Sequence, residues 1–288
     1  MSDTTINVGV IKLGAIASAP LLDLILDERA ERDDINVRAF TSGAKMDEES
    51  SVSPAESVIA WSPHLVLVVS PNAALPGPTK VREMLAAAKL PTISISDGPA
   101  EKAFYKKDDD GKKQPHVLDN QGFIVIPADS MIGAKKEFLD PTEMSLFNAD
   151  AIKVLSITGV VRAIQHELDT VIAAIQAGET PDLPLAKLTT EKIVKCGYFK
   201  NPYAKAKAIA ALTISEAVAE ITTKGCFKTK EAEDYIPLVA AGHEMMRIAA
   251  NLADEIRELE KSGDSVLRNP HVSKGKVKTK TALMDKPK

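Results

Sequence analysis

Cysteine is nearly absent. Cys196 and Cys226 are the only two, too few for a disulfide framework or a cysteine-built zinc site. Each lies next to a glycine in helical surroundings, where a small buried hydrophobe of a reducing cell would sit. No apolar run approaches the roughly 20 residues that a membrane-spanning helix needs. Met1-Ser2-Asp3 leads straight into a strand pattern with no charged-then-apolar leader, so a cytoplasmic protein is expected, with no membrane partner. The nicotinamide fingerprint is missing: Gly14 is followed by Ala15 and Ala17 rather than by the spaced glycines that let a pyrophosphate approach. A Walker A loop is missing too. His243-Glu244-Met245-Met246-Arg247 lacks the second histidine of a helical zinc motif, so no metal is expected. Basic stretches without interleaved aromatics give no reason to expect a nucleic-acid partner.

What is present is an ordinary globular composition, 44% hydrophobic and 26% charged over 288 residues, long enough for one large or two modest cores. The first half repeats a strand–loop–helix rhythm. Asn7–Ile11, Ile35–Phe40, His64–Val69, Thr92–Ile95 and Phe123–Ile126 read as about five strands. The unbroken apolar run His64–Val69 is what a parallel strand covered on both faces shows. Residues 105–116 carry dense mixed charge without periodicity and read as a surface excursion. After residue 140 the period changes. Ile157, Val160, Val161, Ile164, Leu168, Val171, Ile172 and Ile175 recur at helical spacing along one long helix. A second helix runs through Ala208–Ile221, and a third runs from after Pro237 to Gly263. The expected architecture is α/β: a mostly parallel open sheet with flanking helices, plus a C-terminal helical subdomain. Its parts are a Rossmann-like sheet domain (1–140), a helical subdomain (141–263) and a basic tail (264–288). Seven Lys/Arg against two Asp give that tail a charge of +5, as in a solvated extension or an arm reaching a neighbour's acidic surface.

Chemistry is expected at the strand ends, because ligands of open α/β sheets sit outside the carboxyl ends of the strands. Each strand runs into a polar loop bearing glycine or proline: Lys12–Ser18 with Gly14, Thr41–Lys45 with Ser42 and Gly43, Ser70–Pro78 with Asn72, then Asp97-Gly98-Pro99, then Pro127–Ser130 with Asp129. Five such loops in succession outline one face of a sheet, with helix N-termini that suit phosphate. The seam between the two halves, Gly133–Met144, adds acid–base candidates: Glu137, Asp140 and Glu143. Asp140 before Pro141, three residues ahead of Glu143, also has the form of a helix N-cap. His64 reads as structural, Trp61 as packing a helix onto the sheet, and His243 and Glu244 as interface or satisfied polar groups.

Long blocks of the chain resemble one family. They are Leu22–Arg32, Ser42–Met46, Pro71-Asn72 with Pro76-Gly77-Pro78, Gly133–Met144, Asn148-Ala149-Asp150 and Asn201–Ala204. Gly225-Cys226-Phe227, His243–Arg247, Arg257–Ser262 and Pro270-His271 continue the series. In this order they are similar to the coenzyme F420-dependent methylenetetrahydromethanopterin dehydrogenases of archaea. Gly14-Ala15-Ile16-Ala17 departs from the family's Gly-Asn-hydrophobic-Gly in the first loop. The resemblance implies reversible hydride transfer between a methylene-tetrahydromethanopterin and coenzyme F420, an 8-hydroxy-5-deazaflavin that diffuses on and off, without a metal. It implies that Lys12, Gly14, Ser18, Ser42, Gly43, Lys45, Ser70, Asn72, Asp97 and Asp129 serve the coenzyme. It further implies that Glu137, Asp140 and Glu143 lie near the reacting carbons, and that the chain forms a homo-oligomer, a hexamer. Two other readings stand beside it: a non-catalytic or altered-affinity paralogue, and a nicotinamide-linked one-carbon dehydrogenase.

Overall fold

The computed structural model describes residues 5–288; Met1-Ser2-Asp3, read above for the absence of a leader, lies outside the described residues. Strands β1 (Ile6–Lys12), β2 (Ile35–Thr41), β3 (Leu65–Ser70) and β4 (Thr92–Asp97) alternate with helices α1 (Ser18–Leu26), α2 (Glu48–Trp61) and α3 (Pro76–Ala87). A short hairpin, β5 (Tyr105–Lys107) with β6 (Lys113–Pro115), precedes β7 (Gln121–Ile126). The second half holds α4 (Pro141–Thr158), α5 (Val160–Gln176), β8 (Leu185–Lys187), α6 (Thr190–Gly197), α7 (Pro202–Thr223) and α8 (Ala232–Ser262). The main sheet has the order β2-β1-β3-β4-β7-β8, parallel throughout.

Alternation along β3 shows how the sheet is sandwiched. Leu65, Leu67 and Val69 join a large core with residues of α1, α4, α5, α7 and α8, whereas Val66 and Val68 pack with Ala55, Val58, Val81 and Leu85 of α2 and α3. Both faces are covered, which is why the strand reads as one apolar run. At the β2 edge, Trp61 at the end of α2 packs against Phe40 with ring centroids 6.0 Å apart. His64 accepts the Asn7 amide at 2.9 Å through Nδ1, a structural bond.

Four features depart from the expectation. The strip from Ile157 to Ile175 is two helices bent by 68°. Gly159 between them has φ +116°, and a Cβ there would meet the Gly197 amide nitrogen at 2.6 Å. The apolar period runs on across the break, so the pattern alone cannot see it. Helix α8 begins a full turn before Pro237, which sits inside it and forgoes one backbone hydrogen bond. The helical half returns a strand, β8, to the sheet. Three residues after Pro184 carry no readable alternation, and Phe123 donates to the Pro184 carbonyl at 2.6 Å to begin the pairing. Residues 105–116 are the surface excursion expected, but they carry structure that the missing periodicity does not show, a small hairpin. Its turn is held by Asp108, which accepts the amides of Asp110 at 3.1 Å and Lys112 at 2.8 Å.

The basic segment 264–288 folds back on its own chain. Arg268 pairs with Lys280 and His271 with Val277 in isolated antiparallel bridges. Asp33 donates its amide to the Ser273 carbonyl at 3.0 Å. Arg29 and Arg162 donate to the carbonyls of His271 and Leu267, at 2.6 and 2.5 Å. Net charge counts the residues but is blind to such backbone partners.

Candidate functional site

A cleft of about 630 Å³ opens outside the carboxyl end of β1, within the range typical of small-molecule sites. Its near wall is the β1–α1 loop and the start of α1: Lys12, Gly14, Ala15, Ile16, Ala19 and Pro20. The β2 loop adds Thr41, Gly43 and Ala44. The facing wall is the first turns of α4, with Pro141, Met144, Ser145 and Asn148. The cleft therefore joins the sheet rim to the acidic seam. A second cavity of about 390 Å³ lies toward the far end of α1, against the C-terminal segment, and holds none of the residues selected from sequence.

The near wall is built by backbone. The Gly14 amide donates to the Gly43 carbonyl at 3.0 Å and the Ser42 amide to the Lys12 carbonyl at 3.2 Å, lacing the two loops together. Gly14 has φ +76°, and a Cβ there would meet the Met46 sulfur at 2.8 Å and Pro71 at 3.0 Å. Only glycine fits this turn. Small side chains at Gly14, Ala15, Gly43 and Ala44 leave a smooth lane beside Lys12, whose ammonium pairs with Asp23 at 3.1 Å.

Of the residues selected from sequence, Lys12, Gly14 and Gly43 line this cleft. Ser42 and Lys45 share the β2 turn, where the Ser42 hydroxyl donates to the Lys45 carbonyl at 2.6 Å. Asn72 accepts the Ala74 amide at 3.0 Å in a turn of its own. Ser18, Ser70, Asp97 and Asp129 are buried beneath the strand ends. Asp129 is wholly enclosed, and its two carboxylate oxygens accept the amides of Ala17 at 2.8 Å and Ser18 at 3.0 Å. The α1 N-terminus, where a phosphate would be expected, thus already holds an internal anion. Burial pushes the Asp129 carboxyl up to about 6 against the pull of the Ser18 and Ala17 hydrogen bonds. Asp97, whose carboxylate accepts the Gly98 and Met131 amides, is raised well above the usual carboxylate range by burial and by the charge of Asp129.

The seam residues divide. Asp140 caps α4, accepting the Glu143 amide at 2.8 Å, as the N-cap pattern anticipates. Glu137 is exposed, and its own amide and the Tyr235 hydroxyl hold its carboxyl below the ordinary value. Glu143 faces Nδ1 of His243 at 3.6 Å. His243 is buried, packs its ring against Phe138 and Phe147 at 4.8 and 4.9 Å, and places Nε2 3.3 Å from the Gly133 carbonyl. It is a satisfied polar group that backs the acidic seam, and burial lowers its pKa. Of the other wall residues, Ala15, Ile16, Thr41, Ala44, Pro141, Met144 and Asn148 fall within stretches read from sequence without being singled out, and Ala19, Pro20 and Ser145 fall outside them. The signal that could have found most of them is position, within or just after a strand-end loop or in the first turns after the seam.

A doubly wound parallel α/β protein is thus defined, with a cleft on the strand-end rim and no Gly-x-Gly-x-x-Gly loop after β1. The chain belongs to the methylene-5,6,7,8-tetrahydromethanopterin dehydrogenase family, whose model matches residues 6–288. It is 56% identical to the F420-dependent methylenetetrahydromethanopterin dehydrogenase of Archaeoglobus fulgidus, across 98% of this chain and 99% of that one. It is 47% identical to the Methanocaldococcus jannaschii enzyme of the same name, again across 98% and 99%. Among solved structures it is similar to an F420-dependent methylene-tetrahydromethanopterin dehydrogenase in complex with methylene-tetrahydromethanopterin and coenzyme F420. The TM-score is 0.91 and the identity 40%, over 99% of this chain and 100% of that one.

Proposed function

We propose that this chain moves a hydride reversibly between methylene-tetrahydromethanopterin and coenzyme F420, leaving methenyl-tetrahydromethanopterin and the reduced coenzyme. The observation that carries this is likeness along the whole length to a relative solved with both molecules bound. When bound, coenzyme F420 supplies the deazaflavin ring carbon that takes up or returns the hydride. The residues present fit a flat co-substrate with an anionic tail. Ala15, Gly43 and Ala44 keep the rim low, a Cβ on Gly43 would stand in open space, and Lys12, paired with Asp23, offers a cation at the edge.

The methenyl product is a cation already stabilised by two flanking nitrogens, so the chain need supply no strong acid and no nucleophile. Its work is to hold two planar rings with donor and acceptor carbons about 3–3.5 Å apart and to keep water from the methenyl carbon. The two walls of the cleft, one on α1 and one on α4, suit that task. Glu137 and Glu143 add fixed negative charge on the seam where positive charge develops. Asp140 serves through the helix it caps. Ser42, Lys45 and Asn72 extend the rim that holds the coenzyme tail.

The same reading makes the chain a cytoplasmic homo-oligomer, a hexamer. Tyr203, Ile209 and Ile248 stand exposed along α7 and α8, and sedimentation finding only monomer would remove that part. The whole reading is tested by incubating purified protein with methylene-tetrahydromethanopterin and either coenzyme F420 or NAD(P). Bleaching of the deazaflavin absorbance band is expected, with no reduction of nicotinamide. Reduction of nicotinamide alone, or of neither, would refute it.

A further inference from the structure

Four consecutive residues after β7 fasten three distant elements to one another. The Ala128 carbonyl accepts the Ser215 hydroxyl of α7 at 2.6 Å, and the Ser130 hydroxyl donates back to the Ser215 carbonyl at 2.7 Å. Asp129 grips the first amides of α1 at 2.8 and 3.0 Å. The Met131 amide donates to Asp97, at the end of β4, at 3.3 Å. Two residues further on, the chain enters the Gly133–Met144 seam, where His243 meets Gly133, and then rises into α4. The strap from Ala128 to Met131 is therefore anchored to one wall of the cleft and continuous with the other.

We infer that Asp129 is a positioning residue that sets the spacing between the α1 wall and the α4 wall of the cleft; this rests on the hydride-transfer reading above. Among the described residues, the carboxylate has no cation partner. Its oxygens accept the amides of Ala17 and Ser18, the Ser18 side chain lies beside them, and the charge of Asp97 faces it. Its two oxygens fix both the distance and the angle of α1 relative to the strap. The same bonds remove the α1 amides from use by a ligand, so an anionic tail is directed to the rim at Lys12 and Gly43. Asp129 does not itself reach the cleft. Hydride transfer depends steeply on the gap between the two rings, and an error of about 1 Å can cost about a hundredfold in rate.

The test uses Asp129→Asn in the full-length protein, checked for fold by circular dichroism and for assembly by sedimentation. The shape is kept, but one acceptor becomes a donor facing an amide. The expected result is a kcat lowered about tenfold or more, with KM for both substrates moving less than about threefold. Hydrogen–deuterium exchange should rise in both walls, residues 14–20 and 141–148. Exchange rising only at 14–20 would mark a local helix cap and overturn the inference, as would an unchanged kcat in folded protein. If Asp129→Asn does not fold, Ser215→Ala loosens the same strap from α7 and takes its place. It should show the same split in kcat and KM, and exchange at 141–148 left unchanged by it would overturn the inference. A wild-type protein inactive with the deazaflavin would defeat the proposed function, and the exchange measurement alone would then decide the role of Asp129.

Discussion

Two buried ionic clusters lie beyond the two ends of α1, and they are built on opposite principles. Under the C-terminal segment, His271 is almost completely enclosed between two carboxylates. Its Nδ1 meets Glu28 at 2.7 Å and its Nε2 meets Asp169 at 3.0 Å. Arg32 completes the set, bridging to Asp34 at 2.7 Å and donating to the Leu26 carbonyl at 2.7 Å. Acids and bases there answer one another. Beneath the cleft, Asp97 and Asp129 face each other with no cation among the described residues, held by the amides of Gly98, Met131, Ala17 and Ser18. A neutralised network holds a segment down. A like-charged pair works against the fold, and its place in the molecule is explained by what it positions.

The sharpest way to break this contrast is to remove the cation from the neutralised cluster. His271→Ala leaves Glu28 with the residue-271 backbone amide and Asp169 with Arg32 at 4.0 Å, both partly buried and without the imidazolium. Breaking one side of a buried ion pair typically costs 3–5 kcal/mol. The carboxylates keep some solvent access, at 28% and 22% of side-chain area, so about 3 kcal/mol is expected. Thermal unfolding should shift down, and protease should cut within 264–288. The pH dependence has a definite sign. Burial pulls the His271 pKa down, but bonds to Asp169 and Glu28 outweigh it, and the folded value ends above 6.5. The stabilisation is therefore complete below the unfolded value near 6.5 and fades as pH rises through the folded one. Protection of the tail should weaken on the alkaline side in the wild type and show no such trend in His271→Ala. A tail equally protected at pH 6 and pH 9 would break the contrast.

The like-charged pair has the same sign but another window. The Asp129 pKa rises from 3.8 to about 6 on folding. Stability from this group is thus full below 3.8 and is lost as pH climbs through 6. By linkage the ionised carboxylate costs about 2–3 kcal/mol near neutrality. Asp129→Asn removes that titration. Unfolding curves of wild type and variant should diverge between pH 4 and 7, the wild type losing ground as pH rises. Parallel curves would show that the charge beneath the cleft carries no energetic cost.

The two regions also differ in how much of them sequence can reveal. Leu65–Val69 reads as a buried parallel strand because its alternate residues enter two separate cores, and every position is apolar. The cleft is legible in part, since Lys12, Gly14 and Gly43 follow directly from strand-end position. Gly159 is not legible, because the helical period continues across it and only the close approach of α6 demands the turn. Neither ionic cluster is legible. Asp129 finds Ala17 at a separation of 112 residues, and His271 finds Glu28 at 243. An aspartate after a strand looks the same in sequence whether it faces a ligand or caps a neighbouring helix from below.

Asp140 provides a gentler measure of the same comparison, because it does for α4 in solvent what Asp129 does for α1 in the interior. Its carboxylate accepts the Glu143 amide at 2.8 Å from an exposed position. Water can replace that bond, so Asp140→Ala should cost about 1 kcal/mol, the usual value of an N-cap. Because Pro141, Met144 and Ser145 ride on the capped turn, the α4 wall should fray locally. Exchange would then rise at 141–145, while residues 14–20 stay protected. If Asp140→Ala instead loosened both walls, the cap and not the strap would be setting the width of the cleft, and Asp129 would lose its distinct role.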